Sequence, residues 1–174
     1  MYEVAITEED LVKARSRYDF INLNNSITNG ASQLYGAIGE VMILKFYKNR
    51  LSSLTEDQFN SLIVDKSSYD WDLIINDKTI EVKTKKINFP PREEYIVSVA
   101  CSNASQKCDY YYFAMVHDDC TKGWLLGFMR RKDFFNKATL CKKGKVDPLS
   151  KDNNYIVKAD CYSLRISDIT TRIK

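Results

Sequence analysis

The feature that most constrains the fold is the stretch "WDLIINDKTIEVKTKK", residues 71–86, in which a polar Asn-Asp dipeptide separates two apolar runs. This pattern predicts a β-hairpin. Because side chains alternate between the two faces of a strand, Ile80 and Val82 share one face of the second strand, and Glu81 and Lys83 share the other. The sequence therefore predicts a carboxylate and an ammonium group side by side on the polar face of a paired strand.

The length of the turn decides which residue of the first strand faces that carboxylate. A two-residue turn at Asn76-Asp77 would place Asp72 opposite Glu81, whereas a four-residue loop over 76–79 would place it opposite Lys83. A three-residue loop without a bulge would split the apolar residues between both faces, so we exclude it. Both remaining registers gather the carboxylates and the lysine on one face. The other face is predicted to pack on a helix and comprises Trp71, Leu73, Ile75, Ile80 and Val82.

Carboxylates that face each other repel, and they destabilise a hairpin unless something offsets their charge. Mg²⁺ commonly takes one or two carboxylates together with waters and phosphate oxygens. Asp72 and Glu81 are therefore candidate metal ligands, and Asp70 replaces Asp72 if the strand register is shifted. The alternative interpretation is a solvated strand face on which Lys83 and Lys85 form ordinary salt bridges.

A long helix is predicted over residues 31–50, "ASQLYGAIGEVMILKFYKNR". It is apolar around most of its circumference, so we expect it to be largely buried. Glu40 lies in its middle, and a buried carboxylate is costly unless it pairs with a cation or binds a metal. Glu40 is therefore either part of the site or the partner of a lysine or arginine. The small residues Gly36, Ala37 and Gly39 would let another backbone approach closely.

The remaining elements complete an α/β pattern, in which helices are mixed with a central run of strands. Thr7 to Asp10 predicts a capped first helix, and residues 22–30 predict a polar loop. The length of 174 residues predicts a single domain. Its core spans about 31–137, between an N-terminal helix and loop over 1–30 and a C-terminal strand extension over 138–174. Further strands are predicted at 59–66, 95–101, 109–117, 123–129 and 155–166, and a helix at 130–138.

Charge is distributed unevenly along the chain. Residues 1–87 carry 11 Lys and Arg against 13 Asp and Glu, whereas residues 88–174 carry 15 against 10. Between Lys122 and Lys145 there are eight basic residues and one acid. Such a stretch forms either a solvated basic face or a surface that contacts phosphate groups. The candidate nucleic-acid-binding residues are Lys85, Arg130, Arg131, Lys132, Lys142, Lys143 and Lys145.

Several classes of site are disfavoured by composition. His117 is the only histidine, and it ends a predicted strand, so any chemistry must depend mainly on carboxylates and lysines. The five cysteines form no C-x-x-C pair and predict reduced thiols, not a zinc site. No apolar run approaches the roughly 18 residues of a membrane span, and the N-terminus has no apolar signal core. These features predict a cytoplasmic protein with no membrane partner.

In chain order, "GAIGEVMILKFY", Asp72 and Glu81-Val82-Lys83 resemble the signature of the PD-(D/E)XK nuclease superfamily. That signature is a helix glutamate, an aspartate at the start of one strand and a carboxylate-x-lysine on the next. The initial proline of the family name is absent, and Trp71 stands in its place. The resemblance covers about residues 31–137. It implies a restriction-endonuclease-like core with a central mixed β-sheet flanked by helices.

The resemblance implies a metal-dependent nuclease, foremost a DNA endonuclease, with Mg²⁺ as cofactor and Mn²⁺ able to substitute. Asp72, Glu81 and Glu40 would be metal ligands, and Lys83 would complete the catalytic set by orienting water or neutralising charge on the phosphate. DNA would be the partner, and cleavage of both strands would suggest a homodimer. Two alternatives stay open: a catalytically inactive nucleic-acid-binding or protein-interaction module on the same fold, and a structure-selective junction resolvase.

Overall fold

A computed structural model describes residues 1–17, 31–65, 68–150 and 155–172, which form an α/β fold. Its helices are α1 (Glu8–Ser16), α2 (Ala31–Arg50), α3 (Glu56–Leu62) and α4 (Arg131–Lys137). Its strands are β1 (Tyr2–Ala5), β2 (Ile63–Val64), β3 (Leu73–Ile75), β4 (Lys78–Ile87), β5 (Ile96–Ala100), β6 (Tyr110–His117), β7 (Lys122–Arg130), β8 (Thr139–Cys141), β9 (Cys161–Arg165) and β10 (Thr171–Arg172). In this described part, no helix combines the length and apolar character that crossing a membrane requires. The polar loop predicted at 22–30 lies outside the described residues.

The main sheet is mixed and follows the order β1-β7-β6-β4-β3-β2, with β10 also paired to β7. β4 and β6 run parallel, whereas the other pairs are antiparallel. The predicted α/β class with a mixed central sheet is therefore confirmed. β1 and β10 join this sheet from outside residues 31–137. A second, antiparallel sheet has the order β5-β9-β8, so the C-terminal segment contributes to both sheets.

The hairpin of β3 and β4 closes through a two-residue turn. Asn76 and Asp77 have φ angles of 49° and 59°, as the two central residues of a type I′ turn require. Ile75 pairs with Lys78, and Leu73 pairs with Ile80. The four-residue loop that the sequence also allowed is therefore wrong. Continued by one residue, the observed register brings Asp72 to the level of Glu81.

The apolar face of the hairpin packs on α2, as predicted. Leu73, Ile80 and Val82 belong to one buried cluster with Ile38 and Met42 of α2. The cluster removes a large apolar area from water, which is the main force that holds α2 against the sheet. The polar positions of β4 consequently face the opposite side of the sheet.

Trp71 does not follow the predicted alternation. It packs in the cluster on the other face of the sheet, which includes Tyr111, Phe113 and Phe134. The strand begins only at Leu73, so the two-residue periodicity of a strand does not govern Trp71. Its predicted place beside Leu73 on the helix-facing side is wrong.

α2 approaches β4 most closely at Gly39. A Cβ atom at this position would lie 2.0 Å from the Thr84 hydroxyl oxygen, so any larger residue would require Thr84 to move. The expected role of small residues is therefore correct for Gly39. At Gly36, in contrast, a Cβ atom would meet open space. The close approach fixes the position along β4 at which the next residue, Glu40, lies against the sheet.

Two predicted strands are wrong in part. Residues 56–62 form α3, because Thr55 and Gln58 make a capping box that starts a helix. In the described part of the predicted strand, up to residue 65, only Ile63–Val64 forms a strand. In the stretch 155–166 the strand is confined to Cys161–Arg165. The capped start of α1 is confirmed, since Thr7 and Asp10 form the reciprocal capping box.

Candidate active site

Asp72 occupies the point where β3 separates from β4. Its backbone N–H donates to the Ile80 carbonyl at 2.9 Å, and its Oδ2 accepts the Val82 N–H at 2.7 Å. A side-chain carboxylate thus replaces a strand carbonyl as the partner of β4. This bond fixes the Asp72 carboxylate against the middle of β4, at the level of Glu81.

Asp70, the sequence-based substitute for Asp72, has a different role. Its Oδ1 accepts the backbone N–H of Lys107 at 2.9 Å, which ties the loop before β3 to the loop before β6. The register seen in the hairpin makes Asp72, and not Asp70, the carboxylate at the level of Glu81.

Lys83 and Gln106 hold one oxygen of Glu81. The Lys83 ammonium donates to Glu81 Oε1 at 2.6 Å and to Gln106 Oε1 at 3.2 Å. Gln106 Nε2 donates to the same Glu81 oxygen at 2.9 Å and to the Tyr69 carbonyl at 2.9 Å. Glu81, Lys83 and Gln106 therefore form a closed triangle of hydrogen bonds. Sequence reasoning missed Gln106, because it lies in a loop far along the chain from β4.

The second oxygen of Glu81 is buried and unsatisfied. Glu81 is only 6% exposed, and among the described residues its Oε2 has no hydrogen-bond partner. Buried polar atoms without a partner are rare, because the hydration given up on burial is not replaced. An unsatisfied carboxylate oxygen beside a second carboxylate is a suitable donor for a hard cation.

Glu40 is paired with an arginine, which is one of the two outcomes that the sequence left open. It is 2% exposed, and its Oε2 accepts from Arg17 Nε at 2.9 Å and lies 2.8 Å from Arg17 Nη2. The same guanidinium reaches Asp65, with Nη1 at 2.6 Å from Oδ2. Arg17, which follows α1, therefore bridges two carboxylates. Neither Arg17 nor Asp65 was predicted; the only signal for them was that a buried Glu40 needs a cation.

The electrostatics of the site centre on Asp72. Burial, together with the negative charges of Glu40 and Glu81, raises the pKa of Asp72 to about 8, and the Val82 N–H and Lys83 oppose this rise. The effect of the Glu40 charge on this pKa indicates that Glu40, which α2 brings from the opposite face of the sheet, lies close enough to affect Asp72. The fold thus brings Asp72, Glu81, Lys83 and Glu40 into one electrostatic unit.

The donor set is suited to Mg²⁺ through two carboxylates. Within residues 1–17, 31–65, 68–150 and 155–172, no three His, Cys, Asp or Glu side chains are grouped to hold a metal ion. Mg²⁺ does not need three, because it keeps several waters and takes substrate phosphate oxygens. The crowded carboxylate of Asp72 and the unsatisfied Oε2 of Glu81 fit such an ion, whereas Oε2 of Glu40 is held by Arg17.

The basic residues at the start of α4 differ in their surroundings. Arg130 and Lys132 are exposed and can meet a partner from solvent. Arg131 instead donates from Nη2 to the Ala104 carbonyl and lies over the Phe135 ring, 5.0 Å from its centre. Arg131 therefore contributes to packing between α4 and the loop that carries Gln106.

Three of the other predicted basic contacts follow β8 of the second sheet, and the fourth lies on β4 of the main sheet. Lys142, Lys143 and Lys145 are exposed in the segment after β8, and Asp160 pairs with the Lys142 ammonium at 2.9 Å. Lys85 is on β4, two residues beyond Lys83. Its Nζ donates to the Ile96 carbonyl at 3.3 Å. Partial burial of the Lys85 ammonium lowers its pKa, although the residue as a whole is exposed.

Comparison with family models and with curated proteins identifies no relative. The chain matches no known protein-family model, and no curated protein matches it significantly. Any assignment of function therefore depends on the residues and geometry described above.

Proposed function

We propose that this protein is a metal-dependent nuclease that hydrolyses phosphodiester bonds, with DNA as substrate and Mg²⁺ as cofactor. One observation carries the proposal: two crowded carboxylates, Asp72 and Glu81, lie beside Lys83, and one buried oxygen of Glu81 has no partner among the described residues. The resemblance of the helix glutamate, the aspartate and Glu81-Val82-Lys83 to the PD-(D/E)XK nucleases supports the same chemistry.

Asp72 and Glu81 would hold the ion between β3 and β4. When bound, Mg²⁺ or Mn²⁺ would polarise a phosphoryl oxygen and acidify a water. The Val82 N–H keeps the Asp72 carboxylate in position. Gln106 keeps Glu81 and Lys83 in a fixed relation, so the site does not need to reorganise its donors when substrate arrives.

Lys83 would act on the reacting phosphate. Hydrolysis forms a bond between a water oxygen and phosphorus and breaks one P–O ester bond, so negative charge grows on the phosphoryl oxygens and on the leaving oxygen. The Lys83 side chain is 14% exposed, and in such a partly dry position its charge is screened little by water. Its ammonium would orient the attacking water or neutralise the growing charge.

Glu40 would contribute chiefly by its charge. The sequence predicts Glu40 as a further metal ligand, and this remains a prediction, since Arg17 holds its Oε2. In the arrangement described, Arg17 pairs with both Glu40 and Asp65, so its single positive charge offsets only one of the two negative charges at the edge of the site. Movement of Arg17 would then alter the electrostatic environment of Asp72.

The test is a plasmid-nicking assay with a matched pair of variants. Purified protein is incubated with supercoiled plasmid and with single-stranded circular DNA in Mg²⁺, Mn²⁺ or EDTA. We expect metal-dependent nicking by the wild type and by Asp70→Asn, and none by Asp72→Asn. Equal nicking by Asp70→Asn and Asp72→Asn would assign the activity to another site or to a contaminant.

A catalytically inactive binding module is the second candidate. The pairing of Glu40 with Arg17 favours it, because that bond occupies an oxygen that a nuclease of this pattern would offer to a metal. A wild type that binds nucleic acid but cuts neither DNA nor RNA in Mg²⁺ or Mn²⁺ would establish the module and exclude the nuclease.

A further inference from the structure

A large groove reaches the candidate active site at Lys83. It has a volume of about 1660 Å³ and is lined by Lys83 and Thr84 of β4, by the segment 87–92 that follows, and by residues of β5 and β9. Sites for small molecules usually measure about 300–1,000 Å³. The groove is larger than that range, and this favours a polymeric ligand that continues past the reacting groups.

The lining of the groove is positively charged. Asp147 is 2% exposed and is used internally, since it accepts from the Ser163 hydroxyl at 3.0 Å and the Leu149 N–H at 2.9 Å. The Asp147 carboxylate is therefore bonded within the protein and contributes little negative charge to the groove surface. Glu94 is a further acid in the lining. The excess of cations favours an anionic polymer. The basic residues that line the groove are Lys83, Lys85, Arg92, Lys158 and Arg165.

Two exposed aromatic side chains also line the groove. Phe89 is 71% exposed and Tyr155 is 43% exposed. The Lys85 ammonium lies 5.8 Å from the centre of the Tyr155 ring, so a cation and a ring face occur together. The segment Pro90-Pro91 follows Phe89 and restricts the backbone beside it.

We infer that this groove binds an unpaired nucleic-acid strand, with bases stacked on Phe89 and Tyr155 and phosphates on the lysines and arginines. Cationic grooves with exposed rings bind single strands in this way, because every base has a face that can stack on an aromatic ring. Paired bases in a duplex are stacked on each other and do not offer those faces. Lys83 belongs both to the groove and to the Glu81 triangle, so a strand in the groove would pass the carboxylates.

The inference rests on the proposed function only for the cleavage of the bound strand. Binding of the strand can be measured separately from cleavage. Fluorescence anisotropy in EDTA compares a labelled oligo-deoxythymidine with a labelled duplex. We expect the wild type to prefer the single strand. The double variant Phe89→Ala/Tyr155→Ala should lose about tenfold or more in single-strand affinity for each ring, with little change for the duplex.

Two controls separate stacking from other effects. Tyr2→Ala removes a ring of similar exposure, 38%, on β1 outside the groove lining, and it should bind like the wild type. Tyr155→Phe keeps the ring and should retain most of the affinity. Lys85→Gln should flatten the log–log salt dependence of single-strand binding by about 0.7. Thermal unfolding establishes that each variant is folded.

The outcomes distinguish this inference from the proposed function. A folded double variant that binds the single strand as tightly as the wild type overturns the groove assignment, as does a wild type that prefers duplex at the same salt. Ring-dependent single-strand binding without cleavage in any metal supports the groove assignment and rejects the nuclease. Metal-dependent cleavage of single strands that does not need either ring supports the nuclease and rejects the groove assignment.

Discussion

Asp10 and Asp72 are two carboxylates that both interact with residues of α2, but the charges next to them have opposite signs. Asp10 lies beside Lys45, whereas Asp72 lies near Glu40. Asp10 Oδ2 accepts from the Thr7 N–H and hydroxyl, each at 2.9 Å, and from the Lys45 ammonium at 2.6 Å. Although burial opposes ionisation, the hydrogen bonds from Lys45 and Thr7 lower the pKa of Asp10. Ionised Asp10 therefore stabilises the start of α1 and its attachment to α2.

Asp72 is placed where ionisation is unfavourable. Burial, together with the charges of Glu40 and Glu81, raises the pKa of Asp72 to about 8. A carboxylate that serves only the fold gains from partners of opposite charge, as Asp10 does. This difference is the basis of the proposed metal site, in which the crowded carboxylates near Asp72 would serve a cation.

The largest expected effect is on cleavage. Lys83→Ala should lower the nicking rate on the order of 10²–10³-fold, because it removes an interaction made mainly in the transition state. Asp72→Asn should be at least as severe, whereas Asp10→Asn should cut at nearly the wild-type rate per folded molecule. The measurement is a time course of plasmid nicking in Mg²⁺, with circular dichroism as the folding control. Full activity in Lys83→Ala would exclude it from the reaction.

The second prediction is an opposite effect on stability. In EDTA at neutral pH, Asp10→Asn should lower the free energy of unfolding by roughly 1–3 kcal/mol, since it removes a charge-assisted hydrogen bond. Asp72→Asn should raise the free energy of unfolding, because the raised pKa means that Asp72 must take up a proton on folding at neutral pH. The amide is already neutral, and its oxygen can still accept the Val82 N–H. Urea unfolding curves measure both. A destabilised Asp72→Asn protein would show that the carboxylate supports the fold after all.

The contribution of Asp10 also has a predictable pH dependence. Its pKa in the folded protein lies below the ordinary value of about 3.9, so the folded state favours the ionised form. That stabilisation is complete above about pH 3.9 and is lost as pH falls through the lower, folded pKa. The difference in unfolding free energy between wild type and Asp10→Asn should therefore shrink in acid. A constant difference down to pH 2 would contradict the assignment.

The third prediction concerns metal binding without catalysis. Mg²⁺ at about ten times its dissociation constant should stabilise the wild type by about 1.4 kcal/mol, if it binds only the folded state. Asp72→Asn should show little of this stabilisation, and Asp10→Asn should show all of it. Thermal unfolding with increasing Mg²⁺, and with Ca²⁺ as a comparison ion, provides the measurement. Equal stabilisation of both variants would place the ion elsewhere.

The smallest expected effect concerns the basic residues near α4. Charge reversal of Arg130 and Lys132, the exposed pair, should weaken DNA binding and flatten its log–log salt dependence by about 0.9 for each duplex phosphate that the variant no longer neutralises. Arg131 is left intact, because it bonds Ala104 and packs on Phe135. Mg²⁺ stabilisation should not change. An unaltered salt slope would show that Arg130 and Lys132 form a solvated face that does not contact DNA.

Local chemistry was sufficient to predict several features of the site. The two-residue alternation of β4 places Glu81 and Lys83 on one face, because the geometry of a strand depends on adjacent residues only. The capping box at Thr7 and the apolar length of α2 are likewise local properties, and both are present in the structure. One local signal was overlooked: Thr55 and Gln58 form a capping box that starts α3 where a strand was expected.

The partners of these residues were decided by tertiary structure. Arg17 meets Glu40 across 23 positions of sequence, and Gln106 meets Glu81 across 25, and no short-range pattern encodes either interaction. Trp71 leaves the face of its neighbours because β3 starts two residues later. The groove likewise exists only because β4, β5 and β9 are brought together. Sequence determined the charges and the face on which they lie, whereas long-range packing decided which of those charges are neutralised.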